Sequence, residues 1–396
     1  MSTPRIVFVD DEPNILDGLR RSLRAKRHEW DMSFVPGGEP ALEILAESPC
    51  AVIVSDMRMP GMDGAQLLTE VSRLHPGTAR VVLSGHTEQD AAIKAAIAGH
   101  RFLPKPIEGE AVIDVIDQLM IRTSPRHGEQ ARRVAGSVRM LPTLPQQDAE
   151  LIDLLSAAEV DHDRLAGAVV RHIGLTAKVL QLSSSGFFGS RPKNASVTAV
   201  ISAVGISTVR ALARAGAAHR EPVTRSPAVA ASVRSIWRHA VATMLLAEQV
   251  ASPAHRPHAQ AAAMLQDVGR LAAIAAPPEI TEARTPPDTP GGDAGVPFRD
   301  IGVELLHLWG LPSPIVAAVA ERDLPHEPAE SGLGVPGALR TAHLLVQQTD
   351  SCDPADGQHE DELARLLSHP QLAARDTDWH RAAHAASARA TERLES

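Results

Sequence analysis

The sequence predicts an α/β domain built on a five-stranded doubly wound parallel sheet, followed by an all-helical domain. Three observations carry this. Over the first third, five short apolar runs alternate with five amphipathic helical patterns. From about Gln146 to Val346, Leu, Ala and Val recur at helical spacing with no strand-like alternation. The 396 residues also exceed what one ordinary core holds, so two or three domains are expected.

The strands are expected at Ile6–Asp10, Met32–Val35, Ala51–Asp56, Arg80–Ser84 and Arg101–Leu103. Helices are expected near Pro13–Lys26, Pro40–Glu47, Ala65–Leu74, Glu88–Ala98 and Glu108–Arg122. In the first helix Pro13 suits the opening turn, and Ile15, Leu16, Leu19 and Leu23 share a face opposite the arginines. Residues 1–122 therefore read as one domain.

Composition narrows the class. An apolar fraction of 44% is enough for packed cores, and a net charge of -9 argues against a general binder of nucleic acid or anionic membranes. Cys50 and Cys352 lie far apart without framework spacing, so a reducing cytosol is the expected home. Ile6–Val9 begins a strand without the charged and apolar regions of a signal peptide, and no apolar run reaches membrane-spanning length. A cytoplasmic protein with no nucleic-acid or membrane partner is the expectation.

Ligands bind doubly wound sheets at the carboxyl ends of the strands. There the sequence places Asp10 and Asp11, Asp56, Ser84, and Lys105 before Pro106. Asp56 closes a buried apolar run and is followed at once by the Met-Pro-Gly-Met-Asp-Gly turn, which presents the acid in a cleft. Clustered carboxylates repel unless a cation sits among them, and hard oxygens with room for water suit Mg²⁺. Asp10, Asp11 and Asp56 are the candidate Mg²⁺ ligands, and Asp56 is the candidate nucleophile toward phosphorus, giving an acyl phosphate. Lys105 would neutralise the phosphoryl charge, and Ser84 would donate to a phosphoryl oxygen. The Lys105–Pro106 bond is a candidate for the cis form. A lone acid would only solubilise a strand end; five convergent positions ask for more.

These five positions, in this order and spacing, resemble the receiver domain of two-component response regulators. The resemblance implies phosphotransfer from a sensor histidine kinase to Asp56 with Mg²⁺. It puts Phe102 at the aromatic switch position, moving inward as Ser84 moves toward the phosphate. It also places Arg58 and His86 at the mouth of the site, where ordinary solvated side chains are an equal reading.

Ser-Pro and Gly punctuation marks 123–145 as a linker, and Arg126, Arg132, Arg133 and Arg139 make it basic. A solvated connector is the expectation. Beyond it, helical patterns such as Ala149–Ala157, Leu165–Leu182, Val197–Ala213 and Ile236–Val250 fill 146–346. Six prolines and three glycines from Pro277 to Pro297 leave no packed face, so 277–297 is expected to be a mobile loop.

The stretches HIGLTAKVLQLSSSGFFG (172–189), TAVISAVGISTVRALA (198–213), WRHAVATMLLAE (237–248), LQDVGRLA (265–272) and IGVELLHLWGLP (301–312) resemble the HDOD family, helical modules related to HD-type metal phosphohydrolases. Ser184 stands where that family usually has Asn. An HD metal site needs a His, a His-Asp pair and a further Asp. His239 and Asp267 match, but Gln266 replaces the pair's His, His343 falls where an Asp is expected, and Phe298 and Arg299 precede Gly302 where many relatives carry a His. The resemblance thus implies a lost dinuclear site, with His239, Asp267 and His343 as a remnant that either holds one metal or is hydrogen-bonded core. His380 and His384 share a helix face without a matching acid or Cys. Residues 347–396 read as a helical extension, with an acidic segment at Asp350–Glu362 and helices near Glu362–Leu367 and Trp379–Leu394, that packs on the core or frays.

The expected function is a response regulator in which phosphorylation of Asp56 is relayed to a catalytically degenerate HDOD module acting on an unknown protein partner. The face bearing Phe102 would be felt by that module or by a second receiver in a homodimer. The alternative is a receiver-regulated metal phosphohydrolase acting on a cyclic dinucleotide or nucleotide; a DNA-binding transcription factor ranks last.

Overall fold

The computed structural model describes residues 3–85, 93, 97–121, 127–157, 159–184, 196–217, 223, 226–281, 296–325, 333–350, 357–373 and 378–395. Strands β1 (Arg5–Val9), β2 (Asp31–Val35), β3 (Val52–Asp56), β4 (Ala79–Ser84) and β5 (Arg101–Pro104) form one parallel sheet in the order β2-β1-β3-β4-β5. The central strands are near-continuous apolar runs because both faces are covered: Ile6, Val7, Phe8, Val52, Ile53, Val54, Val81 and Val82 are fully buried. Chain direction away from β1 reverses between β2 and β3, which opens the crevice at the carboxyl ends of β1 and β3.

Helices α1 (Pro13–Ser22), α2 (Gly38–Glu47), α3 (Gly64–Leu74) and α4 (Gly109–Met120) complete this half; α1 and α4 are shorter than the periodicity predicts, and α2 and α3 begin slightly earlier. Of the helix expected at Glu88–Ala98, Ile93, Ile97 and Ala98 are helical and the rest lies outside the described residues.

The expected connector is different. Gly128–Ser137 forms a helix, α5, that buries Ala131, Val134 and Ala135 and packs against α3 and, in the second half, Val268–Ala275 and Phe298–Leu308. Arg132, expected in solvent, is buried, and only Arg133 of the described arginines here is fully exposed. Charge alone reads as solvated; the buried arginine is possible because Glu304, 172 residues on, supplies an ion pair at 3.2 Å.

The second half contains α6 (Pro145–Ser156), α7 (His162–Val170), α8 (Ile173–Ser183), α9 (Val197–Val204), α10 (Ile206–Ala217), α11 (Pro227–Val250), α12 (Arg256–Leu265), α13 (Val268–Ala275), α14 (Phe298–Leu308), α15 (Ser313–Glu321), α16 (Val335–Asp350), α17 (Gly357–Leu367) and α18 (Trp379–Glu395). Two patterns that read as single helices are broken. At 171–172 the His172 side chain accepts the Leu175 N–H at 3.1 Å and starts α8 anew, while Gly205 takes φ 86° between α9 and α10.

The long helix α11 packs against α12, α16 and α18. Trp379, Ala383, Ala386 and Ala390 form the buried stripe of α18, so the C-terminal extension is part of this core. Within the expected loop 277–297, Pro278–Thr281 is a single helical turn, residues 282–295 lie outside the described residues, and Val296 is buried as the chain enters α14.

Candidate functional site

The crevice is assembled by backbone geometry before any side chain chemistry. β1 ends at Val9 and delivers Asp10, which is fully buried; β3 ends in Asp56, which is nearly so. The turn after β3 is closed by a reciprocal cap at the start of α3: Asp63 Oδ1 accepts the Gln66 N–H at 2.7 Å and Gln66 Oε1 accepts the Asp63 N–H at 3.0 Å. Gly64 N–H reaches back to the Met57 carbonyl at 3.1 Å, so the loop that follows Asp56 is pinned at both ends.

Each carboxylate is oriented by a backbone donor. Asp10 Oδ1 accepts the Glu12 N–H at 2.9 Å, and Asp56 Oδ2 accepts the Arg58 N–H at 2.9 Å. Their other oxygens meet one cation: Lys105 Nζ lies 2.6 Å from Asp56 Oδ1 and 3.0 Å from Asp10 Oδ2. Burial pulls the Lys105 ammonium down, but its hydrogen bonds to and charge attraction by Asp56 and Asp10 outweigh that, leaving its pKa raised above the usual 10.5. Lys105 therefore carries its charge at neutral pH. The Lys105–Pro106 peptide is cis, as expected. Asp11 stands half-buried beside Asp10. β4 ends at Ser84 as expected, but the Ser84 side chain and all of His86 lie outside the described residues.

Among the described residues no three His, Cys, Asp or Glu side chains converge tightly enough to hold a metal by themselves. Mg²⁺ asks for less, one or two carboxylates with water and phosphate oxygens, and two buried carboxylates of hard oxygen donors meet that demand at Asp10 and Asp56.

Phe102 is buried on β5, three residues before Lys105. Its neighbour Arg101 leaves the receiver half altogether. Arg101 Nε donates to the Leu308 carbonyl at 3.0 Å and Nη2 to the His307 carbonyl at 2.7 Å, both at the C-terminal end of α14. Gly310, at φ 74°, turns the chain there, and a side chain on it would run into the Arg101 guanidinium.

More contacts cross the same seam. His307 Nε2–H donates to the Gln118 carbonyl at 2.8 Å, and Gln181 Nε2 donates to the carbonyls of Gly99 (3.1 Å) and His100 (3.0 Å). Arg132 gives hydrogen bonds to the Leu119 (2.8 Å) and Gly77 (3.1 Å) carbonyls besides its ion pair with Glu304. Sequence reasoning assigned none of these contacts. Apart from Leu119, 13 residues from Arg132, the partners are between 55 and 207 residues away, so no local pattern announces them.

In the helical half, His239 Nε2 and His343 Nδ1 are 3.0 Å apart in a hydrogen bond. Asp267 does not join them: its Oδ1 takes the Arg322 Nη1–H at 3.0 Å. Gln266 is buried, and neither of its amide atoms has a hydrogen-bond partner among the described residues. A donor set of His239, Asp267 and His343 is thus not assembled, because two imidazole nitrogens are committed to one another and the acid is committed to an arginine. His380 and His384 sit on α18.

The model of the family described as "Response regulator receiver domain" matches residues 6–117, and that described as "HDOD domain" matches residues 141–325. Among curated proteins, the transcriptional regulatory protein GlrR of Escherichia coli (strain K12) is 31% identical over 144 residues, 36% of this chain and 32% of GlrR. The DNA-binding transcriptional regulator NtrC of the same strain is 35% identical over 111 residues, 28% of this chain and 23% of NtrC. The chain therefore spans less than a third of either relative's length. Among solved structures, the signal receiver domain of an HD domain-containing protein from Pseudomonas fluorescens Pf-5 is 27% identical, covers 30% of this chain and 95% of that one, and has a TM-score of 0.29. Among the described residues no single helix is long and apolar enough to cross a membrane.

Proposed function

The chain joins a response regulator receiver domain to an HDOD domain in the manner of two-component signalling, and from that premise we propose that Asp56 is its phosphoacceptor and that β5 carries the signal between the two domains. A receiver domain implies a histidine kinase as partner and typically uses Mg²⁺ for phosphorylation. An Asp56 oxygen attacks the phosphorus of the kinase's phosphohistidine; the P–O bond forms as the P–N bond breaks, and the imidazole leaves with its electron pair. Asp10 and Asp56, with Asp11 beside them, would hold Mg²⁺, which when bound supplies charge neutralisation for the phosphoryl oxygens. Lys105 cancels the repulsion between Asp10 and Asp56 beforehand and follows the phosphoryl charge afterwards. Ser84 donates to a phosphoryl oxygen.

The observation that carries the relay is the wiring of one short strand and its exit. Lys105 holds Asp56 at 2.6 Å, Phe102 is packed inside, and Arg101 grips the end of α14 in the HDOD domain. A phosphoryl group adds close to two negative charges at neutral pH, and drawing Lys105 toward them loads the strand that Arg101 anchors. The HDOD domain then acts by protein contact on a partner, with its metal site degenerate: Gln266 in place of His and the Asp267–Arg322 ion pair support that reading. Homodimerisation, if it follows phosphorylation, would use the face released from the HDOD domain.

The test is phosphorylation of full-length protein with a small-molecule phosphodonor and Mg²⁺, read by intact mass. Wild type should gain one phosphoryl group and Asp56→Asn none; equal gain in Asp56→Asn would overturn the assignment.

A further inference from the structure

A cavity of about 500 Å³ opens in the HDOD domain between α11, α13, the end of α15 and α16. Four arginines line it, Arg238, Arg270, Arg322 and Arg340, against two aspartates, Asp267 and Asp323. In a chain of net charge -9 this is a local positive excess, and its bookkeeping by partner is informative.

Two of the arginines are committed. Arg322 pairs with Asp267 at 3.0 Å and with Asp323 at 2.8 Å. Arg340, buried, makes a two-pronged pair with Glu362, Nε–Oε1 at 3.2 Å and Nη2–Oε2 at 2.9 Å. The other two are not. Neither Arg238 nor Arg270 has a carboxylate partner among the described residues. Arg238 Nε is buried with no hydrogen-bond acceptor among the described residues, and the Arg270 guanidinium rests over the Phe298 ring at 5.9 Å. A buried N–H donor without an acceptor is rare in a folded protein and points to a group that completes it. The hydrogen-bonded His239–His343 pair also lines the cavity.

Guanidinium forks match phosphate oxygens two at a time, and a cavity of this size lies in the range of small-molecule sites. We propose that this cavity binds a phosphate-bearing small molecule, with Arg238 and Arg270 donating N–H groups to its phosphate oxygens and the committed pairs Arg322–Asp267 and Arg340–Glu362 as rigid walls. The inference rests on reading the HDOD domain as non-hydrolytic: a position that would have held metal in a hydrolase holds the phosphate alone. Such a ligand gives the protein a second input beside Asp56.

The experiment is calorimetric titration of full-length protein with inorganic pyrophosphate, in chelator and without phosphodonor, so that the receiver takes no part. One saturable site is expected, weakened about tenfold or more in Arg238→Ala and in Arg270→Ala, and partly restored in Arg238→Lys. Arg164→Ala, in a separate surface depression lined with Glu150 and Asp163, should leave it unchanged. Circular dichroism melts check folding, and Arg238→Gln, which keeps most of the side chain's length, replaces the alanine variant if that one melts early. No saturable heat, or wild-type affinity in both alanine variants, would overturn the site, as would a stoichiometric transition metal in protein purified without chelator and lost with His239→Ala. Release of orthophosphate from the probe in a parallel run without chelator and with Mn²⁺, absent in His239→Ala, would instead overturn the non-hydrolytic reading.

Discussion

Replacing Arg101 with alanine removes the two hydrogen bonds that cross from β5 to α14, at 3.0 and 2.7 Å. Bonds to a charged donor are each worth about 1.5–3 kcal/mol, and a cation at a helix C-terminus adds about 0.3–1 kcal/mol. The freed side chain regains about 2 kcal/mol of rotamer entropy, and Arg101 is only half-buried, so the net loss is about 3 kcal/mol. That shifts the opening equilibrium of the seam roughly a hundredfold. Hydrogen exchange read by mass spectrometry reports it directly: amides of His307–Leu311 and of the end of α8 around Gln181 should exchange faster by about that factor, with α11 unchanged. Beryllofluoride on the wild type should move the same peptides in the same direction, and should add little in Arg101→Ala, where the strand no longer grips anything. Gly310→Ala, which puts a methyl against the same guanidinium, should reproduce the effect. Unchanged protection at these peptides in Arg101→Ala, or loss spread evenly through α11, would refute the idea that β5 holds the domains together. If beryllofluoride changes exchange only around the crevice, the strand holds the domains but carries no signal between them.

Two further perturbations test the seam. Arg132→Met leaves the fully buried Glu304 without its arginine and should cost about 3–5 kcal/mol in urea unfolding, whereas Arg132→Met with Glu304→Leu should recover most of it; equal losses in single and double variants would mean that packing, not charge, matters there. His100 gives a pH dependence. Burial, followed by the charges of Arg80, Arg132, Lys178 and Arg101, holds its pKa well below 6.5, and its Nδ1 accepts the Arg80 N–H at 3.1 Å, a bond that protonation destroys. Because the folded pKa is the lower one, this contribution is complete above pH 6.5 and is lost as pH falls below it toward the folded value. Seam exchange, corrected for intrinsic rates, should therefore accelerate as pH falls below 6.5, and His100→Asn should flatten the profile; an identical profile in the variant would refute it.

What could be read from the sequence follows from how local each interaction is. Strand ends are local, so Asp10, Asp56 and Lys105 were legible, and the structure brings them within hydrogen-bond reach of one another. Helical periodicity is local too, and the all-helical half emerged from it. Breaks were harder. Leu165–Leu182 keeps its apolar spacing straight through 171–172, and only the His172 side chain, tied to Asp148 at 3.1 Å, shows that a new helix begins there. Charged residues with distant partners are not announced locally: Arg132, expected in a solvated connector, is buried beside Glu304, and Arg101 reads only as the start of a short strand. In the helical half the residue types single out His239, Asp267 and His343, but they do not show that Asp267 pairs with Arg322 or that arginines crowd the same cavity.

Helix α5 changes what counts as a part. Receivers invite exchange between proteins, and residues 1–122 look like the piece to cut. Yet Arg80 Nη1 donates to the Gly136 carbonyl at 2.8 Å from inside the receiver, and Arg132 on the same helix reaches Gly77 and Leu119 on one side and Glu304 on the other. A cut ahead of α5 strands a buried guanidinium on the receiver and strips a wall from the output. A chimera has to carry the chain to about residue 140 and bring a matching acid for Arg132. Two inputs to the design that look independent, the receiver and its output, share a residue that neither can surrender alone.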